Sequence, residues 1–226
     1  MVGLTNRPRP IVAIDGPVGA GKSTVARALA RALGFTYLNT GAMYRAVAVA
    51  AHYIGIDDNE ADGRLQQLLD SLSISFEGER VLLNGKDVSA EIVQPEIGDL
   101  ASRLSTRPIV RARLLILQRA AGEMGGVVME GRDIGTAIFP DAEFKFFLTA
   151  DLNVRAARRF AELTAHGADT SEAEVLSQLQ ERDRRDRERE LAPLRQADDA
   201  IVIDSSKLDV GQVVSAMLAH IRQPAR

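Results

Sequence analysis

Gly16-Pro17-Val18-Gly19-Ala20-Gly21-Lys22-Ser23 lies between an apolar run, Ile11 to Ile14, and a helix-like segment, Thr24 to Leu33. These eight residues fit G-x-x-x-x-G-K-[ST], a phosphate-binding loop. Glycines there let backbone N–H groups converge on a polyphosphate, Lys22 has the reach for β- and γ-phosphates, and the Ser23 hydroxyl suits Mg²⁺. A helix N-terminus behind the loop adds a dipole that favours anions. Strand, motif and helix follow one another in the required order, which argues for an α/β fold holding a nucleotide phosphate.

The bulk composition sets limits on the rest. The chain has 226 residues, 46% of them hydrophobic, enough for one sizeable core with a small insert. A net charge of -3 argues against nucleic-acid or anionic-membrane partners, which favour basic surfaces. The absence of cysteine excludes a disulfide framework and thiolate metal sites. Met1 to Pro10 lacks a signal-peptide apolar segment, and no run is long enough to span a membrane, so a cytoplasmic protein is expected.

Five short runs rich in Val, Ile and Phe read as buried parallel strands: Pro10–Asp15, Phe35–Asn39, Gly126–Glu130, Phe144–Thr149 and Ala200–Asp204. Helix-like patterns fall between and after them at Lys22–Leu33, Ala42–Ile54, Pro108–Met124, Leu152–Ala165, Ser171–Leu191 and Val210–Ile221. The alternation predicts a three-layer α/β/α sandwich around a five-stranded parallel sheet. Leu72 to Val88 breaks it with an apolar/polar alternation punctuated by Glu77-Gly78-Glu79 and Asn84-Gly85, the signature of antiparallel hairpins. The expected organisation is a core of 1–56 and 106–226, a lid at about 155–192, and an insert at 57–105 carrying the small antiparallel sheet.

Two further loops carry chemistry. Asn39-Thr40-Gly41-Ala42-Met43-Tyr44-Arg45 follows the second strand, and Gly131-Arg132-Asp133-Ile134-Gly135-Thr136 follows the third. Ligands of open α/β sheets bind beyond the carboxyl ends of the strands, and a guanidinium fork matches two phosphate oxygens, so Arg45 and Arg132 suit an anionic group. Arg45 in isolation also fits a solvated surface, Tyr44 a core edge, and Asp133 a simple neutraliser of Arg132. Glu130, at its strand end, suits an Mg²⁺ acid acting through water. In the charged run Glu181 to Glu190, Arg182, Asp186 and Arg189 are spaced i, i+4, i+7 and share one helical face with Arg185, while Arg184 and Arg187 point elsewhere. Such a run alone reads as a solvated helix; its one-sided arginines suit a lid over a phosphoryl-transfer site. His52, His166 and His220 stand in no catalytic setting.

GPVGAGKST, NTGAMYR, the inserted hairpins, SRLSTRPIVR, EGRDIGT and ERDRRDRER, in this order, resemble the bacterial cytidylate kinases over nearly the whole chain. The resemblance implies ATP binding by Gly16, Pro17, Val18, Gly19, Ala20, Gly21, Lys22, Ser23 and Thr24, with Ser23 holding Mg²⁺. It implies a CMP site in which Thr40, Arg111 and Asp133 read cytosine, Ser102, Arg182 and Asp186 hold the sugar, and Arg45, Arg132 and Arg189 hold phosphate, with Tyr44 beside them. Lys22, Arg132, Arg182 and Arg189 would be the catalytic cations, and the 57–105 insert would be the NMP-binding subdomain. One departure stands out: the family usually has Asp where this chain has Asn39.

The implied reaction is γ-phosphoryl transfer from ATP to CMP or dCMP by a cytoplasmic monomer that uses Mg²⁺ and engages neither nucleic acid nor membrane. A carboxylate at Asp133 would accept from the cytosine amino group and repel the uracil carbonyl. Two other readings are a nucleotide switch, for which the chain lacks N-K-x-D, and a kinase for another small acceptor. Asp204 to Lys207 is the positional candidate for adenine contacts.

Overall fold

The computed structural model describes residues 7–165 and 167–222, so the readings of the first six residues and of His166 fall outside it. In chain order the elements are β1 (Ile11–Asp15), α1 (Lys22–Leu33), β2 (Thr36–Asn39), α2 (Thr40–Tyr53), α3 (Asp62–Ser71), β3 (Ile74–Glu77), β4 (Arg80–Leu83), β5 (Lys86–Asp87), α4 (Pro95–Leu104), α5 (Pro108–Gly122) and β6 (Val127–Gly131). After a π-helical turn at Ile134–Ile138 come β7 (Phe144–Thr149), α6 (Leu152–Ala165), α7 (Glu172–Glu188), β8 (Ile201–Asp204) and α8 (Val210–Arg222). The chain divides into two compact units: one combines the chain up to Leu38 with the chain from Gly122 onward, and the other is Asn39–Ala121.

In the first unit, a five-stranded parallel sheet has the order β2-β6-β1-β7-β8. Every residue of β1 and β6 is buried, which is why both read as unbroken apolar runs rather than alternating ones. Val12 and Ile14 of β1, Val128, Phe146, Leu148 and Ile203 pack with Val25 and Leu29 of α1 and Val213 and Met217 of α8. The register aligns Asp15 with Gly131 and Phe147, and Thr149 with Asp204. The loops beginning at Gly16, Arg132, Ala150 and Ser205 therefore leave the same edge of the sheet. Helices α6 and α7 pack on each other, with a satellite core of Ala156, Leu163, Val175 and Leu179. A capping box of Ser171 and Glu174 starts α7.

The second unit has its own core, joining Met43 and Val47 of α2, Leu65 and Leu69 of α3, Val81 and Leu83 of β4, Leu100 and Leu104 of α4, and Val110 and Leu114 of α5. Its antiparallel sheet, β3-β4-β5, turns at Gly78 and at Asn84-Gly85, where both residues have positive φ (50° and 80°), as a tight hairpin requires. The compact unit is wider than the 57–105 segment expected from the hairpins, because α2 and α5 share the insert's apolar core.

Candidate active site

The phosphate loop is shaped by contacts that exclude side chains. A Cβ on Gly16 (φ +150°) would collide with the Leu148 carbonyl oxygen of β7, and Gly19 (φ +77°) lies against Arg155, whose Cβ would be 3.0 Å away. Gly21 (φ +86°) turns the chain into α1. Lys22 folds back over the loop, its Nζ donating to the Pro17 carbonyl at 2.7 Å. Burial first, then Arg132, pulls its pKa from 10.5 to about 7 against the opposing pull of Glu130, Asp186 and Asp15. The Ser205 hydroxyl donates to the Ala20 carbonyl (3.1 Å), and Arg158 donates to the Ser205 hydroxyl (3.1 Å) and carbonyl (2.7 Å).

Asp15, at the end of β1, joins the first loop to the second. Its two oxygens accept from the Ile134 and Gly135 N–H groups, each at 2.8 Å. In the turn that follows, the Asp133 carbonyl accepts from both Ala137 and Ile138 N–H, and Phe139 N–H reaches the Ile134 carbonyl, so the i→i+5 bonds of a π-turn appear beside one i→i+4 bond. Burial raises the Asp15 pKa to about 6 although both N–H bonds oppose it. Beside it, the Tyr37 hydroxyl donates to Glu130 Oε1 at 2.6 Å and is hydrogen-bonded to Ser23. Burial and then the Glu130 charge push the Tyr37 pKa upward, so its proton stays on the phenol.

Charged side chains from two segments interlock at this edge. Arg132 Nε donates to Asp186 Oδ2 of α7 at 2.7 Å, and Arg189 Nη2 lies 3.5 Å from Asp133 Oδ1. Asp133 thus pairs with Arg189 rather than with its neighbour Arg132. Burial alone would raise the Asp186 pKa, but Arg132, Arg182 and Arg189 together hold it below the ordinary carboxylate value. The same pairing raises Arg132 against its own burial. Helix α7 stops at Glu188, short of the Leu191 expected from sequence, and Arg189 is its C-cap in an extended conformation (ψ 139°). Arg189 therefore reaches Asp133 from a cap rather than from a continued helical face. Its Nε is held by the carbonyl of Ala192 at 2.8 Å.

In the second unit, the Asn39 side chain accepts from Ala42 N–H at 3.1 Å and caps α2. Asn caps a helix about as well as Asp, so position 39 needs an acceptor oxygen more than a charge. Thr40 and Ser102 are buried, Arg45 is half-buried, and the Arg111 guanidinium stands 5.9 Å from the centre of the Tyr44 ring, within cation–π range. Arg111 also donates to the Ser105 carbonyl (3.4 Å).

The expected site residues thus form two groups. Lys22, Ser23, Arg132, Asp133, Arg182, Asp186 and Arg189 belong to the first unit, and Thr40, Tyr44, Arg45, Ser102 and Arg111 to the second. Asp15, Tyr37, Arg155 and Asp183 escaped the sequence reading. Asp15 is adjacent to the motif but its partners are 119 and 120 residues away, a separation that no local pattern signals.

The cytidylate kinase family model matches residues 12–223. The chain is 49% identical over 217 residues to the cytidylate kinase of Citrifermentans bemidjiense, covering 94% of this chain and 93% of that one. The chain belongs to the cytidylate kinase family. It is likewise 50% identical over 219 residues to the cytidylate kinase of Syntrophotalea carbinolica, covering 94% of this chain and 92% of that one. Among solved structures, shikimate kinase from Acinetobacter baumannii aligns with a TM-score of 0.50 at 14% identity, covering 95% of this chain and 94% of that one, a likeness of fold alone. The sandwich expected from the strand and helix alternation is therefore the fold of P-loop kinases.

Proposed function

We propose that this family member transfers the γ-phosphate of ATP to CMP or dCMP, yielding ADP and CDP or dCDP. A phosphate oxygen of the acceptor forms the new bond to the γ-phosphorus as the bond from that phosphorus to the β,γ-bridging oxygen breaks, and the leaving electron pair stays on ADP. The acceptor phosphate is already anionic near neutral pH, so positioning and charge stabilisation carry the catalysis and no general base is required. Lys22 stabilises the donor phosphates, and Arg132 and Arg189 draw the acceptor phosphate toward them. Arg182 and Asp186 hold the sugar. Thr40, Arg111 and Asp133 read the base, Ser102 joins Arg182 and Asp186 at the sugar, and Arg45, with Tyr44 beside it, joins Arg132 and Arg189 at the phosphate. The single observation that best supports this reading is the interlocked set Arg132–Asp186 and Arg189–Asp133, beside a phosphate loop in the same unit.

The donor set suits Mg²⁺. Ser23 offers a hydroxyl, and Glu130 offers a carboxylate for contact through water, both hard oxygen ligands, whereas the Asp15 oxygens are already occupied by backbone N–H groups. When bound, Mg²⁺ supplies charge neutralisation at the β- and γ-phosphates. The reading also takes the chain as a cytoplasmic monomer with neither nucleic acid nor membrane as partner. Among the described residues, no helix is long and apolar enough to cross a membrane.

The test is ADP release measured against CMP, dCMP, UMP, AMP and shikimate. Turnover with CMP and dCMP above all others is the expected result, because an unmatched base leaves buried polar groups unpaired, which discriminates by ~10⁴ or more. Preferred turnover of shikimate, or ADP release that ignores the acceptor, overturns the proposal.

A further inference from the structure

Arg155, in the first turn of α6, is 4% exposed and binds three separate parts of the first unit. Its Nε donates to the Ala150 carbonyl (3.1 Å), its Nη1 to the carbonyl of Val18 in the phosphate loop (3.0 Å), and its Nη2 pairs with Asp183 Oδ2 of α7 at 2.7 Å. Asp183 is 5% exposed and sits between Arg182 and Asp186 in sequence, and its other oxygen, Oδ1, has no hydrogen-bond partner.

Stability does not account for this arrangement. Two charges removed from water are often no better than apolar residues of the same volume, and a buried oxygen without a partner makes the balance worse. Position accounts for it better. In a planar trans peptide the N–H points opposite to the C=O, so the hold on the Val18 carbonyl fixes the direction of the Gly19 N–H, one of the loop's phosphate donors. The same guanidinium fixes α7 one residue away from Arg182 and three away from Asp186.

We propose that Arg155 is a positioning residue that links the donor-phosphate loop to the arginine-bearing helix α7 through Asp183, so that filling the loop sets the placement of the acceptor-side cations. The proposal rests on the phosphoryl-transfer reading for the roles of the loop and of α7. Arg155→Met alone strands a buried carboxylate and risks unfolding, so the decisive variant is Arg155→Met/Asp183→Leu, which removes both charges and keeps apolar volume.

Two measurements on the full chain test it: amide hydrogen exchange with and without a non-hydrolysable ATP analogue, and kcat with CMP. In the wild type, the analogue slows exchange in residues 16–24 and also in α7. In the double variant, with its melting temperature near the wild-type value, protection stays in the loop, α7 protection is lost, and kcat falls about 10- to 100-fold, the scale of a small misplacement. A purely structural pair would change the melting temperature and leave the spread of protection intact. Wild-type α7 that does not respond to the analogue, α7 protection retained in the double variant, or an unchanged kcat each overturns the link. A wild type that shows α7 protection but does not turn over CMP overturns the acceptor assignment instead. In that case the loss of α7 protection in the variant decides the link by itself.

Discussion

On the outer face of α7, Arg184 reaches Glu181 at 2.9 Å and Glu188 at 3.0 Å, with all three side chains about half exposed or more. On the inner face, Asp183 and Asp186 meet Arg155 and Arg132 at 2.7 Å, and both aspartates are only 6% exposed. The residue types and distances are nearly the same, and solvent makes the difference. Water already stabilises the outer charges, so pairing them changes little. The inner charges have given up their hydration, so each depends on its partner, and removing one leaves the other stranded. A short ion-pair distance therefore says little about importance until burial is known.

The largest effect should come from Asp186→Ala, which leaves the Arg132 guanidinium buried without its main partner. The expected loss is about 3–5 kcal/mol of stability, read from the urea midpoint, together with near-complete loss of turnover. A midpoint close to wild type would place the inner face in the same class as the outer one.

A smaller effect should appear in acid. The Asp186 pKa is lower folded than unfolded, so the stability it contributes is complete above the ordinary carboxylate range near 4 and is lost as the pH falls through the folded value. Urea midpoints measured from pH 7 down to pH 3 should fall more steeply for the wild type than for Asp186→Asn. Parallel curves would mean that the carboxylate is not held in its charged form. The smallest effect belongs to Arg184→Ala, for which turnover and melting temperature should match the wild type within error. A clear loss in either would show that the outer pairs do more than decorate a solvated surface.

The parts legible in the sequence were those governed by local rules. The strands of the five-stranded sheet lie within a residue of their expected limits, and the plainest of them are β1 and β6, which are buried throughout and so read as apolar runs. The hairpins were legible through Glu77-Gly78-Glu79 and Asn84-Gly85, where turn geometry demands particular residues. Helix α3 is not legible in the sequence: its first residue follows Ala61, which supplies no side-chain cap, and the acidic Asp62 in its first turn is a weak signal by itself. The π-turn after Asp133 carries no local signal, and Asp15, which accepts from its first two N–H groups, is far away in sequence. Asp183 was hidden by its surroundings, since an aspartate among six other charged residues from Glu181 to Arg187 reads as solvated until the position of Arg155 is known. The grouping of Arg182, Asp186 and Arg189 was expected from helical spacing, yet Arg189 arrives through the end of the helix.

The glycines of the phosphate loop also bear on how the gene is free to drift. Gly16 and Gly21 are spelled out by the general motif, and here the Leu148 carbonyl and a left-handed backbone give the steric reasons. Gly19 falls at a position where the motif accepts any residue. In this chain its left-handed backbone and the closeness of Arg155 close that position too. At the other three positions packing sets the limit: Pro17 and Ala20 are buried, and Val18 lies against the satellite core of α6 and α7. A descendant that replaced Arg155 with a smaller residue would leave Gly19 as crowded as before, because the atoms nearest it are the Cβ, the carbonyl oxygen and the Cα of residue 155, and the left-handed backbone would still favour glycine there.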